Sequence, residues 1–193
     1  MPYQHRTDGR IAVTIDSNVW NQLHSLKLEL AKELPKKCFA LFMPREIQIE
    51  LDAVPDRPEK IALKDYIRQQ VLDASVETSY TFGFMTEVEP QRSGGWGAGT
   101  FQSSDECAYY ADIQKQYLIN KSLRGSKLSH NEGDAALGAA SLSSVVLTLD
   151  LKKAGPLLVA RKHGGKLVDM RWSPLFGQII GLVKLYPFCS RCQ

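Results

Sequence analysis

Two aspartates in this 193-residue chain close runs of apolar, β-branched residues. Asp16 ends Ile11-Ala12-Val13-Thr14-Ile15, and Asp150 ends Ser144-Val145-Val146-Leu147-Thr148-Leu149. Such side chains suit a pleated, buried surface, so each run reads as a buried strand. Each carboxylate then falls at the carboxyl end of its strand, where open parallel sheets bind ligands. Two carboxylates held close repel, and one takes up a proton unless a cation sits between them. Mg²⁺ or Mn²⁺ would serve, because such ions prefer oxygen ligands and keep several waters. A metal-bound water is a nucleophile for phosphodiester hydrolysis, and the metal stabilises the leaving oxygen. The competing use of an Asp after a strand is to cap the next helix.

The elements that must position these groups are readable from periodicity. Val19, Leu23, Leu26 and Leu30 form one helical stripe, with Asp16, Ser17 or Asn18 available as its cap and Pro35 near its end. Cys38 to Phe42 predicts a second strand, and Pro44 opens a helix through Val54 at a first-turn position where its missing N–H costs little. In that helix Ile47, Leu51 and Val54 share one face, and Glu46 and Glu50 share another as an i,i+4 acidic pair. A further helix is expected over about 59–73 and an extended piece over 78–84. Ser103 and Glu106 have the spacing of a capping box, predicting a helix to about Leu123. Asp134 to Ala140 is rich in Ala and Gly, which lets a helix lie close to a sheet. A short helix is expected over 155–162 and a last strand over 166–170. Ser173-Pro174 should start a terminal helix. Strand and helix alternate with compact connections, which argues an α/β fold with a mostly parallel sheet.

Four segments together resemble the PIN-domain nucleases, the fold of many toxin ribonucleases of toxin–antitoxin pairs. Ile11 to Trp20, with Asp16-Ser17-Asn18, is similar to the family's opening strand and first acid. Phe42 to Leu51 resembles its Pro-led second motif, whose acid falls on Glu50, with Glu46 as the alternative second acid. Asn131 to Ala140 resembles the third motif, with its acid at Asp134. Val145 to Asp150 resembles the fourth, a strand ending Thr-x-Asp, at Thr148 and Asp150. The resemblance covers roughly residues 10–170. It implies a three-layer α/β sandwich with a central, mostly parallel sheet of four or five strands between helices, and a metal-dependent endoribonuclease. Asp16, Asp134 and Asp150 would bind Mg²⁺ or Mn²⁺ directly or through water. Glu50 would complete the catalytic cluster and accept a proton from the attacking water. Ser17, Asn18 and Thr148 would orient carboxylates or water. The expected substrate is RNA, single-stranded or structured. An antitoxin protein and a homodimer are the partners such a chain leaves room for. The alternatives are a catalytically inactive PIN-like RNA-binding or scaffold protein, and a structure-specific DNA nuclease.

Composition agrees with one domain over 1–193. Of the residues, 44% are hydrophobic and 23% charged, enough apolar material for a core and too much for a disordered chain. The segment beyond Met170 is interrupted by Gly177, Gln178, Gly181 and Lys184, so no membrane span is expected. Residues 1–10 lack an apolar signal core, and four cysteines make no disulfide scaffold. The expected setting is therefore cytoplasmic. Residues 101–193 carry 12 basic against 7 acidic side chains, whereas 1–100 carry 12 against 14. The second half is thus the one to face phosphates. Arg45, Lys152, Lys153, Arg161, Lys162, Lys166 and Arg171 are its candidate contacts, with Arg45 the one member from the first half. The family resemblance leaves two extensions unassigned. One is a glycine-rich insertion at about 87–104, whose Trp96 is a candidate base-stacking platform. The other is the C-terminal helix and tail over 173–193, with Cys189 and Cys192 supplying half a zinc site. Cys38 reads as a small core hydrophobe.

Overall fold

The computed structural model describes residues 6–82, 100–118, 128, 131–151 and 154–172. Most of the glycine-rich insertion with Trp96, Lys152, Lys153, and the terminal helix and tail with its two cysteines lie outside the described residues.

Strand β1 (Ile11–Ile15) has the bounds expected from its β-branched run, and all five residues are buried. A strand buried on both faces belongs in the middle of a parallel sheet, and β1 is the central strand. It leads into α1 (Ser17–Ser25) and α2 (Leu30–Glu33), then β2 (Phe39–Pro44), α3 (Arg45–Asp52) and α4 (Pro58–Asp73). Strand β3 (Glu77–Ser79) follows, then a short parallel pair of its own, β4 (Thr81–Phe82) and β5 (Thr100–Phe101). The chain continues through α5 (Ser104–Tyr117), α6 (Glu132–Ser143), β6 (Val145–Thr148), α7 (Pro156–Lys162) and β7 (Lys166–Asp169). The main sheet is five-stranded and entirely parallel, in the order β3-β2-β1-β6-β7. The fold is α/β, with helices flanking that sheet.

The order reverses at β1: successive strands first move one way to β2 and β3, then return to β6 on the other side of β1. Right-handed crossovers therefore place helices on opposite faces of the two halves. Helices α1, α2 and α4 pack together, as do α5, α6 and α7. The main core gathers Val13, Ile15, Trp20, Leu23, Leu30, Ile47 and Leu137, all nearly inaccessible. A second cluster of Tyr109, Ile113, Ala135, Ala139 and Ala160 joins α5, α6 and α7.

Several local details differ from the reading of the sequence. The long first helix breaks after Ser25: Lys27 turns through φ 52°, Leu26 is 47% exposed, and Leu30 re-enters the core from α2. The Val19/Leu23/Leu30 stripe survives because the break preserves which side of the chain meets the core. Pro44 is the residue before α3, not within its first turn, and that helix stops at Asp52. Phe42 is only half-buried and carries the Arg6 guanidinium 5.3 Å above its ring. Cys38, buried as expected, is disulfide-bonded instead of free. The capping box forms as read: the Ser103 hydroxyl accepts from the Glu106 N–H at 3.2 Å, and Glu106 accepts from the Ser103 N–H at 2.7 Å. Among the described residues, no helix is long and apolar enough to cross a membrane.

The small-residue stripe of α6 works as a contact surface. The buried Tyr109 hydroxyl reaches the Ala135 and Pro156 carbonyls at 3.2 and 3.4 Å, passing over Gly138. A Cβ at Gly138 would fall 2.0 Å from that hydroxyl oxygen. Gly138→Ala should therefore destabilise the fold by about 1–3 kcal/mol, the usual range for overpacking. Thermal denaturation would read this as a lower Tm, partly recovered in the double variant with Tyr109→Phe.

Candidate active site

The parallel register between β1 and β6 pairs Ile15 with Leu147, and the Asp16 N–H continues the ladder to the Leu147 carbonyl at 3.1 Å. Asp16 and Thr148 thus become neighbours across two strands at the carboxyl edge of the sheet, where the strand order reverses. The Thr148 hydroxyl donates to Asp16 Oδ2 at 2.6 Å, with Asp16 3% exposed and Thr148 fully buried. The same hydroxyl accepts from the Asp150 N–H at 3.0 Å, tying the turn after β6 to the Asp16 carboxylate.

Ser17 links the second acid. Its hydroxyl lies 3.3 Å from Asp16 Oδ1 and 3.4 Å from Glu50 Oε2, so one donor is shared between the two carboxylates. Asn18 accepts from the Leu149 N–H at 3.0 Å and also hydrogen-bonds the Asp16 carboxylate through its side chain. Glu50 is held from behind by α6: a Cβ on Gly133 would meet Glu50 Oε1 at 2.8 Å. Only a glycine lets this carboxylate sit so close to the start of α6. Glu46, the other member of the acidic pair, is buried one turn earlier on α3. Asp134 follows Gly133 in the first turn of α6; burial pushes the Tyr109 phenol up, and the charges of Tyr110 and then Asp134 add to that shift.

By its geometry the Asp16 carboxylate is not a conventional helix cap, although it accepts from the Ser17 N–H at the start of α1. It occupies the position before α1 with extended backbone, yet its side chain makes no capping hydrogen bond. Asp150 precedes no helix directly, since α7 starts at Pro156 behind Gly155. Burial pushes the Asp16 carboxyl above its ordinary value. Hydrogen bonds from Thr148, Ser17 and Asn18 pull in the opposite direction and do not offset it. A cation would do so.

The structure therefore brings together Asp16, Ser17, Asn18, Glu50, Thr148 and the backbone of Asp150, with Asp134 one residue from the glycine that backs Glu50. It does not gather the four acids into one tight cage: among the described residues, no three His, Cys, Asp or Glu side chains converge on a metal-sized site. Asp16 instead spends its oxygens on the Thr148 and Ser17 hydroxyls. What is present fits a hard divalent ion held by one or two carboxylates with its remaining positions filled by water and substrate, the way Mg²⁺ is usually bound.

Expected phosphate contacts divide by position along the strands. Arg171 forks onto Asp169 with Nε–Oδ1 2.9 Å and Nη2–Oδ2 2.5 Å, at the carboxyl edge of β7. Its Nη2 reaches the Leu151 carbonyl at 3.3 Å, and its charge is raised in pKa by Asp169 first and also by Asp150. Arg161, Lys162 and Lys166 do not flank the acids. They sit at the end of α7 and the start of β7, the opposite edge of a parallel sheet, and Lys166 donates to the Leu142 carbonyl at 3.0 Å. His163 pairs with Asp112 at 2.8 Å.

Sequence reading missed Asp169, which pairs with Thr148 across β6 and β7. Its signal was available, because Leu167-Val168-Asp169 repeats the strand-then-Asp pattern of Asp16 and Asp150. It also missed Gly133, whose role depends on which face of α6 meets α3. No family model, curated protein or solved structure matches the chain.

The raised Asp16 value has a definite sign. In metal-free buffer, stability from this group is full below the ordinary carboxylate value of 3.8 and is lost as pH rises through the higher folded value. Asp16→Asn should therefore raise Tm at pH 7 relative to the parent, with the gain shrinking towards pH 3. A loss of Tm that is larger at pH 7 than at pH 3 would contradict this.

Proposed function

We propose that this protein is a divalent-metal-dependent endoribonuclease of the PIN type, hydrolysing RNA phosphodiester bonds at the carboxyl edge of its sheet. The observation that carries the reading is Asp16, a buried carboxylate that makes no conventional side-chain cap bond, lies at the reversal of strand order and shares a hydroxyl with Glu50. Burying a carboxylate costs stability, and such a cost is characteristic of functional sites. The strand order and the four motif segments support the same reading.

Asp16 and Glu50 are the residues that would hold Mg²⁺ or Mn²⁺, with Asp134 and Asp150 acting through water. The ion would supply Lewis-acid stabilisation of charge on the phosphate oxygens and a water of lowered pKa. Thr148 holds Asp16 in one orientation, and Asn18 fixes the turn after β6 by accepting from Leu149. Ser17 keeps the Glu50 carboxylate turned towards Asp16. Glu50, only half-buried, is the acid best placed to take a proton from an attacking water. Arg171 lies beside Asp150 and is half-exposed, so it can meet a phosphate on the β7 side.

The absence of a three-carboxylate convergence among the described residues favours one rival, an inactive PIN-like RNA-binding protein. One assay separates the two. The nuclease reading expects Mn²⁺-dependent cleavage of single-stranded RNA that falls at least ~100-fold in Asp16→Asn and in Glu50→Gln, the scale of a lost acid–base or metal-binding group. Gly133→Ala should also lower the rate, by displacing Glu50, while leaving the far-UV circular dichroism unchanged. RNA binding without cleavage in the parent protein would establish the rival.

A further inference from the structure

A groove of about 510 Å³ opens from the carboxylate pair between α1, α3 and α4. It shares Ser17, Asn18 and Glu50 with the site and continues past Asn21, Lys60 and Leu63. Its size falls within the range of small-ligand sites, about 300–1,000 Å³, which combine apolar walls with a few polar groups. The walls here are Leu51, Val54, Pro55 and Leu63.

The two polar groups beyond the acids are set apart by their partners. Other cations of α2 and α4 are engaged: Lys32 with Glu29 at 2.6 Å, Lys64 with Asp56 at 2.6 Å, and Arg68 with Asp65 at 3.0 Å. Lys60 makes no ion pair, and the Asn21 side-chain amide makes no hydrogen bond, among the described residues. Facing the groove are thus one ammonium, one amide that can both donate and accept, and apolar side chains. An ammonium suits a phosphate. An amide reads a base edge by paired donor and acceptor. Aliphatic walls take the face of a base out of water.

We propose that this groove binds the nucleotide next to the scissile phosphate of single-stranded RNA. Lys60 contacts its phosphate, Asn21 the edge of its base, and Leu51, Val54 and Leu63 the face. The inference rests on the nuclease reading of the adjoining carboxylates and adds to it a direction: the strand leaves the acids towards α4.

The test uses full-length protein carrying Asp16→Asn to prevent turnover, and a 5′-fluorescein-labelled 10-nucleotide RNA of mixed sequence followed by anisotropy. Adding Lys60→Ala should weaken Kd about 5–10-fold and flatten the log Kd–log salt slope by about 0.7–1, the loss of one phosphate contact. Adding Asn21→Ala should weaken binding by a similar factor without changing that slope. Lys32→Ala, whose ammonium is already paired on α2, should change neither. If Lys60→Ala and Asn21→Ala bind like Lys32→Ala while the parent protein still cleaves RNA with Mn²⁺, the groove inference is overturned and the nuclease reading stands. If the parent neither binds nor cleaves RNA, both fall together.

Discussion

The hydrogen bond from Thr148 to Asp16, 2.6 Å long and buried, is the constraint on which the site depends. It exists because β1 and β6 are adjacent, parallel and in a register that brings their ends level. A shift of one residue would send Asp16 to the other face of the sheet. The same Thr148 hydroxyl accepts from Asp150, so one side chain fixes both the first acid and the turn that carries the last. Asp16 in turn anchors Ser17, and Ser17 meets Glu50. The chain of contacts runs from the central strands outward to α3, and its links before Glu50 are short polar side chains with little rotamer freedom to lose.

Helix α6 is the second support. Its two glycines let two different neighbours approach it closely, Glu50 at Gly133 and Tyr109 at Gly138. One contact belongs to the site and the other to the packing of α5 and α7. The cost of so many small residues is a helix with little side-chain area to bury. Leu137, fully buried in the main core, supplies much of what remains.

The parts of this architecture that were legible in the sequence are those set by local patterns. The β-branched run of Ile11 to Ile15 marked the central strand to the residue, and Ser103 with Glu106 marked the start of α5. Pairs of residues brought together by topology were legible only through the family resemblance, as with Glu50 and Asp16. The break at Lys27 was invisible because Leu30 returns to the core after it, which keeps the apolar spacing intact. Arg161, Lys162 and Lys166 were misplaced because charge alone does not say which end of a strand a residue occupies. The position of Lys166 at the start of its strand does say so. Asp169 was overlooked although its place near the end of a strand was legible, and its pairing with Thr148 comes only from the β6–β7 register.

The central claim is that Asp16 and Glu50 together form a divalent-cation site. A crystal soaked in Mn²⁺ tests it most directly through anomalous difference density. The account predicts one peak bonded to carboxylate oxygens of both Asp16 and Glu50, at about 2.0–2.2 Å. A clear map in which both carboxylates are ordered and no peak touches Asp16 would contradict it.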